Sequence, residues 1–88
     1  MLIRRIVKLK SDVVRAVLAE AGISQNAFAK LIPVTSGYMS ELMHGTKHPS
    51  PFIQRRIQYV LGGCRFEDLF EVEERQGRYL KKFAVKGV

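Results

Sequence analysis

Cysteine is all but missing from this 88-residue chain, where Cys64 is the only one. A single thiol cannot form an intramolecular disulfide, so nothing here asks for an oxidising compartment. Beside Gly63 and Phe66 it reads as a small buried side chain. With one soft ligand to help them, His44 and His48 cannot complete a closed zinc site, and Gly45 and Pro49 stop one helix from carrying both histidines. No metal or cofactor is expected.

Acidic residues are scarce as well: eight Asp and Glu stand against 15 Lys and Arg, a net charge of +7. Residues 1–66 hold ten basic and three acidic side chains, and residues 67–88 hold five of each, so the surplus sits in the first three-quarters of the chain. Such a field attracts polyanions, nucleic acid or anionic lipid, although a basic surface also simply keeps a protein soluble.

No apolar run approaches the ~20 residues of a membrane-spanning helix. The start, MLIRRIVKLKSD, has early positive charge without the apolar stretch of a signal peptide, so the expectation is a cytoplasmic protein. There is no internal repeat and no low-complexity segment. A Gly-rich phosphate loop after a strand is missing, and no nucleophile has a base partner. Together with a length that leaves no room for an enclosed active-site cavity beside one modest core, these absences argue against an enzyme.

What is present is helical punctuation. After Ser11, an N-cap candidate, Val13, Val14, Val17, Leu18 and Ala21 recur on one helical face until Gly22. Ser24 caps a second short helix with Phe28, Leu31 and Ile32 inward. Pro33 must end it, because proline has no N–H to continue the ladder and disfavours helical backbone before it. Thr35 or Ser36 caps a third helix, with Met39, Leu42 and Met43 inward and Gly45 as its stop. Ser50 and Pro51 open a fourth, which presents Ile53, Ile57, Val60 and Leu61 inward and Gln54, Arg55 and Gln58 outward, up to Gly62 and Gly63. A fifth, FEDLFEVEE, buries Phe66, Leu69 and Phe70 and turns five acids to water. The ends, LIRRIVKL and RYLKKFAVKGV, pair with each other, pair across a dimer, or are tails.

Residues 23–45, ISQNAFAKLIPVTSGYMSELMHG, resemble the helix-turn-helix of the lambda-repressor-like family, also called the Cro/C1 or XRE family. Gln25 matches the Gln that opens the family's second helix, Ala29 the small residue that lets the two helices cross closely, Met39 and Leu42 the inner positions of the recognition helix, and Gly45 its closing glycine. The resemblance covers residues 11–74. It departs at Pro33, where the family commonly has glycine, and at LGGCRF, one residue longer than the usual link. It implies an all-α fold, a five-helix lambda-repressor-like bundle, and it covers neither end; residues 1–10 and 75–88 are read from their own composition as short β or extended arms.

A short helix held out by a tight turn fits the major groove, where each base pair shows a distinct donor and acceptor pattern. The first turns of the third helix supply Ser36, Gly37, Tyr38, Ser40 and Glu41 as candidate DNA contacts. Ser36 either caps or contacts DNA. Gly37 costs up to ~1 kcal/mol in a helix interior, so it asks for a reason such as close backbone approach. Tyr38 is expected on DNA more than on the core edge, and Glu41 can accept from cytosine N4. His44, Thr46 and Lys47 follow along the phosphates. The resemblance adds Gln25 as a DNA contact at the start of the second helix. Arg55 and Arg56 read as a solvated face, and Arg4, Arg5, Lys8 and Lys10 as a basic arm near the duplex or an unrelated charged strand.

The expectation is therefore a sequence-specific transcriptional regulator, a repressor, that binds double-stranded DNA as a homodimer. Its dimer surface would be the fifth helix and C-terminal tail, where Phe66, Phe70, Tyr79 and Phe83 exceed what a small core absorbs. The rival is a protein-interaction module, an antitoxin or docking adaptor using the same fold.

Overall fold

The computed structural model of the chain describes residues 3–76. The basic tail read at the C-terminus, with Tyr79 and Phe83, lies outside the described residues except for Arg75 and Gln76. Five helices and two strands follow one another: β1 (Ile3–Leu9), α1 (Ser11–Ala21), α2 (Gln25–Leu31), α3 (Ser36–His44), α4 (Pro51–Val60), α5 (Phe66–Leu69) and β2 (Phe70–Gln76). Among the described residues no helix is long and apolar enough to cross a membrane.

Most boundaries lie where local chemistry puts them. Ser24 Oγ accepts from the Ala27 N–H at 3.1 Å and Ser50 Oγ from the Ile53 N–H at 3.3 Å, so each hydroxyl satisfies a donor that its helix cannot. Pro51 occupies the first turn of α4, where its missing N–H costs nothing. Gly45 ends α3 at φ +81°, a left-handed conformation that a β-carbon would penalise. α2 stops before Pro33 as expected, although Ile32 keeps right-handed helical angles, φ −67° and ψ −37°. Ile32 is therefore not displaced from helical backbone, and Pro33 has no N–H with which to continue the ladder.

The core draws on every helix. Val14 and Leu18 of α1, Phe28 and Ala29 of α2, Ile32 after it, Met39, Leu42 and Met43 of α3, Ile57 of α4 and Leu69 of α5 are buried together with Leu9 and Phe70. At about 25 cal/mol per Å² of apolar surface, this shared interior holds helices that are too short to persist alone. The inward stripes read from the sequence are broader than the buried ones. Ala21 and Leu31 are exposed, and Val13, Ile53, Val60 and Leu61 are half-buried. Gln54 and Gln58 do not point freely outward: their amides donate to the carbonyls of Pro49 at 2.8 Å and Cys64 at 3.1 Å.

Ser11 is not a cap. It is already helical, Lys10 precedes the helix without a side-chain cap, and the Ser11 hydroxyl donates instead to the Met43 carbonyl on α3. One of the unpaired carbonyls in the last turn of α3 is thereby satisfied, and α1 is tied to the end of that helix.

The largest correction concerns FEDLFEVEE, which is not one helix. α5 is a single turn, and Phe70 leaves it in extended conformation, φ −131° and ψ 153°. β2 then pairs antiparallel with β1, from Leu9 opposite Phe70 to Ile3 opposite Gln76. The acids give the reason. On a continuing helix Glu71 would lie three or four residues from Glu67, Asp68 and Glu74, each a repulsive pair. On a strand they meet cations: Arg5 Nε lies 3.4 Å from Glu74 and Lys8 Nζ 3.0 Å from Glu73. The N-terminal segment is accordingly no separate arm. Ile6 and Leu9 are buried, the Lys10 N–H donates to Leu69 O at 2.7 Å, and Lys10 Nζ donates to Glu67 O at 2.8 Å.

Candidate nucleic-acid interface

Two short helices and the turn between them set this surface. The Val34 N–H donates to Ala29 O at 2.7 Å and closes the turn after Pro33. Thr35, not Ser36, caps α3: its Oγ1 accepts from the Tyr38 N–H at 3.1 Å. Of the two capping candidates only one is used, and the Ser36 hydroxyl stays exposed without a partner among the described residues. Met39, Leu42 and Met43 fix the rotation of α3 by filling the core, so 3.6-residue periodicity turns residues 37, 41 and 44 the other way.

That outward face carries exposed Gly37, Glu41 and His44, with exposed Ser36 at the helix start and exposed Thr46 and Lys47 after its end. Gly37 is the informative member. A β-carbon built on it would meet nothing within 4 Å, and its φ is not positive. Among the described residues, neither the packing nor the backbone needs a glycine there. Glu41 has a free carboxylate and Lys47 a free ammonium among the described residues.

Other candidates are already engaged within the fold. Tyr38 is half-buried and packs against the core, so the reading as core edge holds for much of its ring and only part of it faces outward. His44 Nδ1 lies 2.7 Å from Ser40 O, the geometry of a ring N–H donating to the preceding helical turn, and 3.4 Å from the half-buried Ser40 Oγ. The Nε2 edge of the ring is what remains for a partner. Thr46 Oγ1 donates to Glu41 O at 3.2 Å, alongside the Thr46 N–H at 3.0 Å and the Lys47 N–H at 3.4 Å. One hydroxyl proton cannot also be offered to a phosphate, so Thr46 closes the helix end and places Lys47 beyond it. Gln25, half-buried at the first position of α2, makes no side-chain bond among the described residues.

The electrostatics have moved from their expected places. Arg5 and Lys8 face glutamates across the sheet and do not project as a basic arm. Arg56 is no solvated cation: it is half-buried, and its Nε donates to Leu31 O at 3.2 Å and Ile32 O at 3.0 Å, the carbonyls that end α2. Arg55 beside it is exposed. From residue 21 to residue 66 the chain has five Lys and Arg, at 30, 47, 55, 56 and 65, against the single acid Glu41. The acids lie elsewhere, most of them on α5 and β2.

The apolar surface has moved too. Phe70 is buried, and Phe66 stacks on it with ring centroids 5.1 Å apart, so the fifth helix does not offer these rings to a second copy. Exposed instead are Phe52 and Tyr59 on α4, which with Ile32, Pro33, Arg55 and Arg56 line an open groove of about 330 Å³. Reading the sequence for inward faces passed over this one. The signal was there in Phe52, Arg55, Arg56 and Tyr59, spaced i, i+3, i+4, i+7 away from the Ile53–Ile57–Val60 stripe.

Compared with family models, curated proteins and solved structures, the chain matches none of them.

Proposed function

We propose that this chain is a sequence-specific transcriptional regulator, a repressor, with a lambda-repressor-like arrangement of α1 to α5, that lays α3 in the major groove of double-stranded DNA. The observation that carries the reading is Gly37. A helix-weakening residue on an exposed face, required by neither packing nor φ, is what close approach of another backbone would select. Ser36 at the start of the helix and Glu41 on that face can meet base edges, Glu41 by accepting from cytosine N4 and by repelling a base edge that offers an acceptor instead. Lys47 and Gln25 flank it for phosphate contact, which positions the helix without specifying sequence.

One short helix supplies few base contacts, so useful specificity requires two copies on half-sites about 34 Å apart, one turn of the duplex. Binding there excludes other proteins from the promoter, and that occlusion is the repression.

The test is selection of bound duplexes from a random double-stranded pool at near-physiological salt, where non-specific phosphate binding is weak. The expected result is an enriched inverted repeat whose binding Gly37→Glu abolishes. Binding that shows no sequence enrichment, or enrichment that Gly37→Glu leaves intact, refutes the reading.

A further inference from the structure

The groove between α4 and the end of α2 is separate from the outward face of α3 and has a different chemistry. Phe52 is 65% exposed and Tyr59 75%, with Leu31 nearby on α2 at 45%. Single exposed apolar residues are ordinary on a protein surface. Here Phe52, Tyr59 and Pro33 are gathered into one concave site.

The groove is also rigid where it matters. Its floor is the buried Ile32 and the cyclic side chain of Pro33. Arg56 ties α4 to the end of α2 by donating to the Leu31 and Ile32 carbonyls, and its guanidinium sits 5.8 Å from the centre of the Tyr59 ring on its own helix.

Charge selects the occupant. α2 and α4 carry Lys30, Arg55 and Arg56 and no acid at all. A second copy seated face to face would bring two such arginine pairs together, which is repulsive. A phosphodiester backbone would suit the arginines but leave two aromatic rings and a proline without apolar partners. An acidic segment with an apolar anchor satisfies both halves: a Leu or aromatic side chain in the groove, and carboxylates forked on Arg55, which is exposed and free among the described residues.

We infer that this groove is a docking site for an acidic, apolar-anchored peptide segment of another protein, independent of whether α3 reads DNA. A DNA-bound regulator with such a site would hold a second protein through residues that α3 does not supply.

The experiment is selection from a random peptide display library on the full chain, followed by affinity measurement of the enriched peptides by fluorescence anisotropy. Arg55→Glu, Tyr59→Ala and Gly37→Glu variants are run in parallel, each checked for an unfolding midpoint no lower than that of the unaltered chain; the first two alter exposed side chains outside the core. The expected peptides place Asp or Glu beside a Leu, Phe or Trp. They lose about tenfold or more in affinity with Arg55→Glu and with Tyr59→Ala, as truncation of an interface anchor does, and nothing with Gly37→Glu. Added salt weakens them.

Three results overturn the inference. One is the absence of any peptide whose binding depends on Arg55 and Tyr59, or groove binders without acids. Another is duplex binding that falls with Arg55→Glu and Tyr59→Ala, which makes the groove part of a nucleic-acid surface. The third is a wild-type dimer in sedimentation that Tyr59→Ala splits, which makes the occupant a second copy. Failure of the DNA reading shows separately, as duplex selection without an enriched site while the peptide result stands.

Discussion

Gly37→Ala separates the two reasons a glycine can occupy α3. The added methyl meets no atom within 4 Å, and φ at this position is not positive, so the folded chain accepts it without displacement. Replacing glycine by alanine inside a helix recovers about 0.5–1 kcal/mol, chiefly because the unfolded chain loses freedom. In the first turn of the helix we take the lower end, about 0.5 kcal/mol, which corresponds to a rise of roughly 2–4 °C in the unfolding midpoint of a domain of this size. The same methyl projects from the face proposed to meet DNA, where an atom placed against a base edge or phosphate must either push the helix out or strip bonds from its neighbours. Loss of about 1.4 kcal/mol there is a tenfold weakening. Circular dichroism melting of the free protein and anisotropy on the selected duplex measure the two effects independently. The expected variant is more stable and binds worse. A lower midpoint would mean that the chain itself needs the glycine. An unchanged affinity would remove the observation on which the DNA reading stands.

Phe28→Ala removes a ring with no exposed surface from the centre of the core and should cost about 3–5 kcal/mol, most of what a small domain possesses, seen as collapse of the urea midpoint. Arg56→Ala leaves the Leu31 and Ile32 carbonyls without their donor and should destabilise by about 1–2 kcal/mol. Arg56→Lys should not restore the loss, because the donating group is the Nε of a planar fork, and urea titration of both variants decides this. Lys47→Ala should lower affinity alike for all duplex sequences and reduce the slope of log K against log salt by about one, whereas Arg5→Ala, whose cation faces Glu74 in the sheet, should leave that slope unchanged.

Much of the middle of this chain is legible because its signals are local. Ser24, Thr35 and Ser50 cap helices from one residue away, Pro33 stops a helix by what it lacks, and Gly45 turns the chain where a side chain would clash. The outward face of α3 follows from the inward one, since three buried residues at helical spacing fix where the others point. The individual roles on that face were less legible. Whether a hydroxyl is free or spent depends on what lies within hydrogen-bond reach of it: Thr46 is spent on Glu41 O at 3.2 Å, while Ser36 has no partner among the described residues.

The sequence by itself determined the four longer helices, most of their ends, the excess of cations over residues 1–66 and the turn that sets α3 apart, because capping, periodicity and charge act over distances of a few residues. Only the tertiary structure decided the fate of the N-terminal segment, of the residues after Leu69 and of the outer face of α4. Glu71, Glu73 and Glu74 look helical beside Phe66 and Leu69 until Arg5 and Lys8, more than sixty positions earlier, are brought alongside, where repulsion along a helix becomes attraction across a sheet. In the same way Arg56 is a surface charge until the end of α2 arrives beneath it. Phe52 and Tyr59 lie off the Ile53–Ile57–Val60 stripe in the sequence, but that they meet Ile32 and Pro33 in one groove depends on how α4 sits against the end of α2.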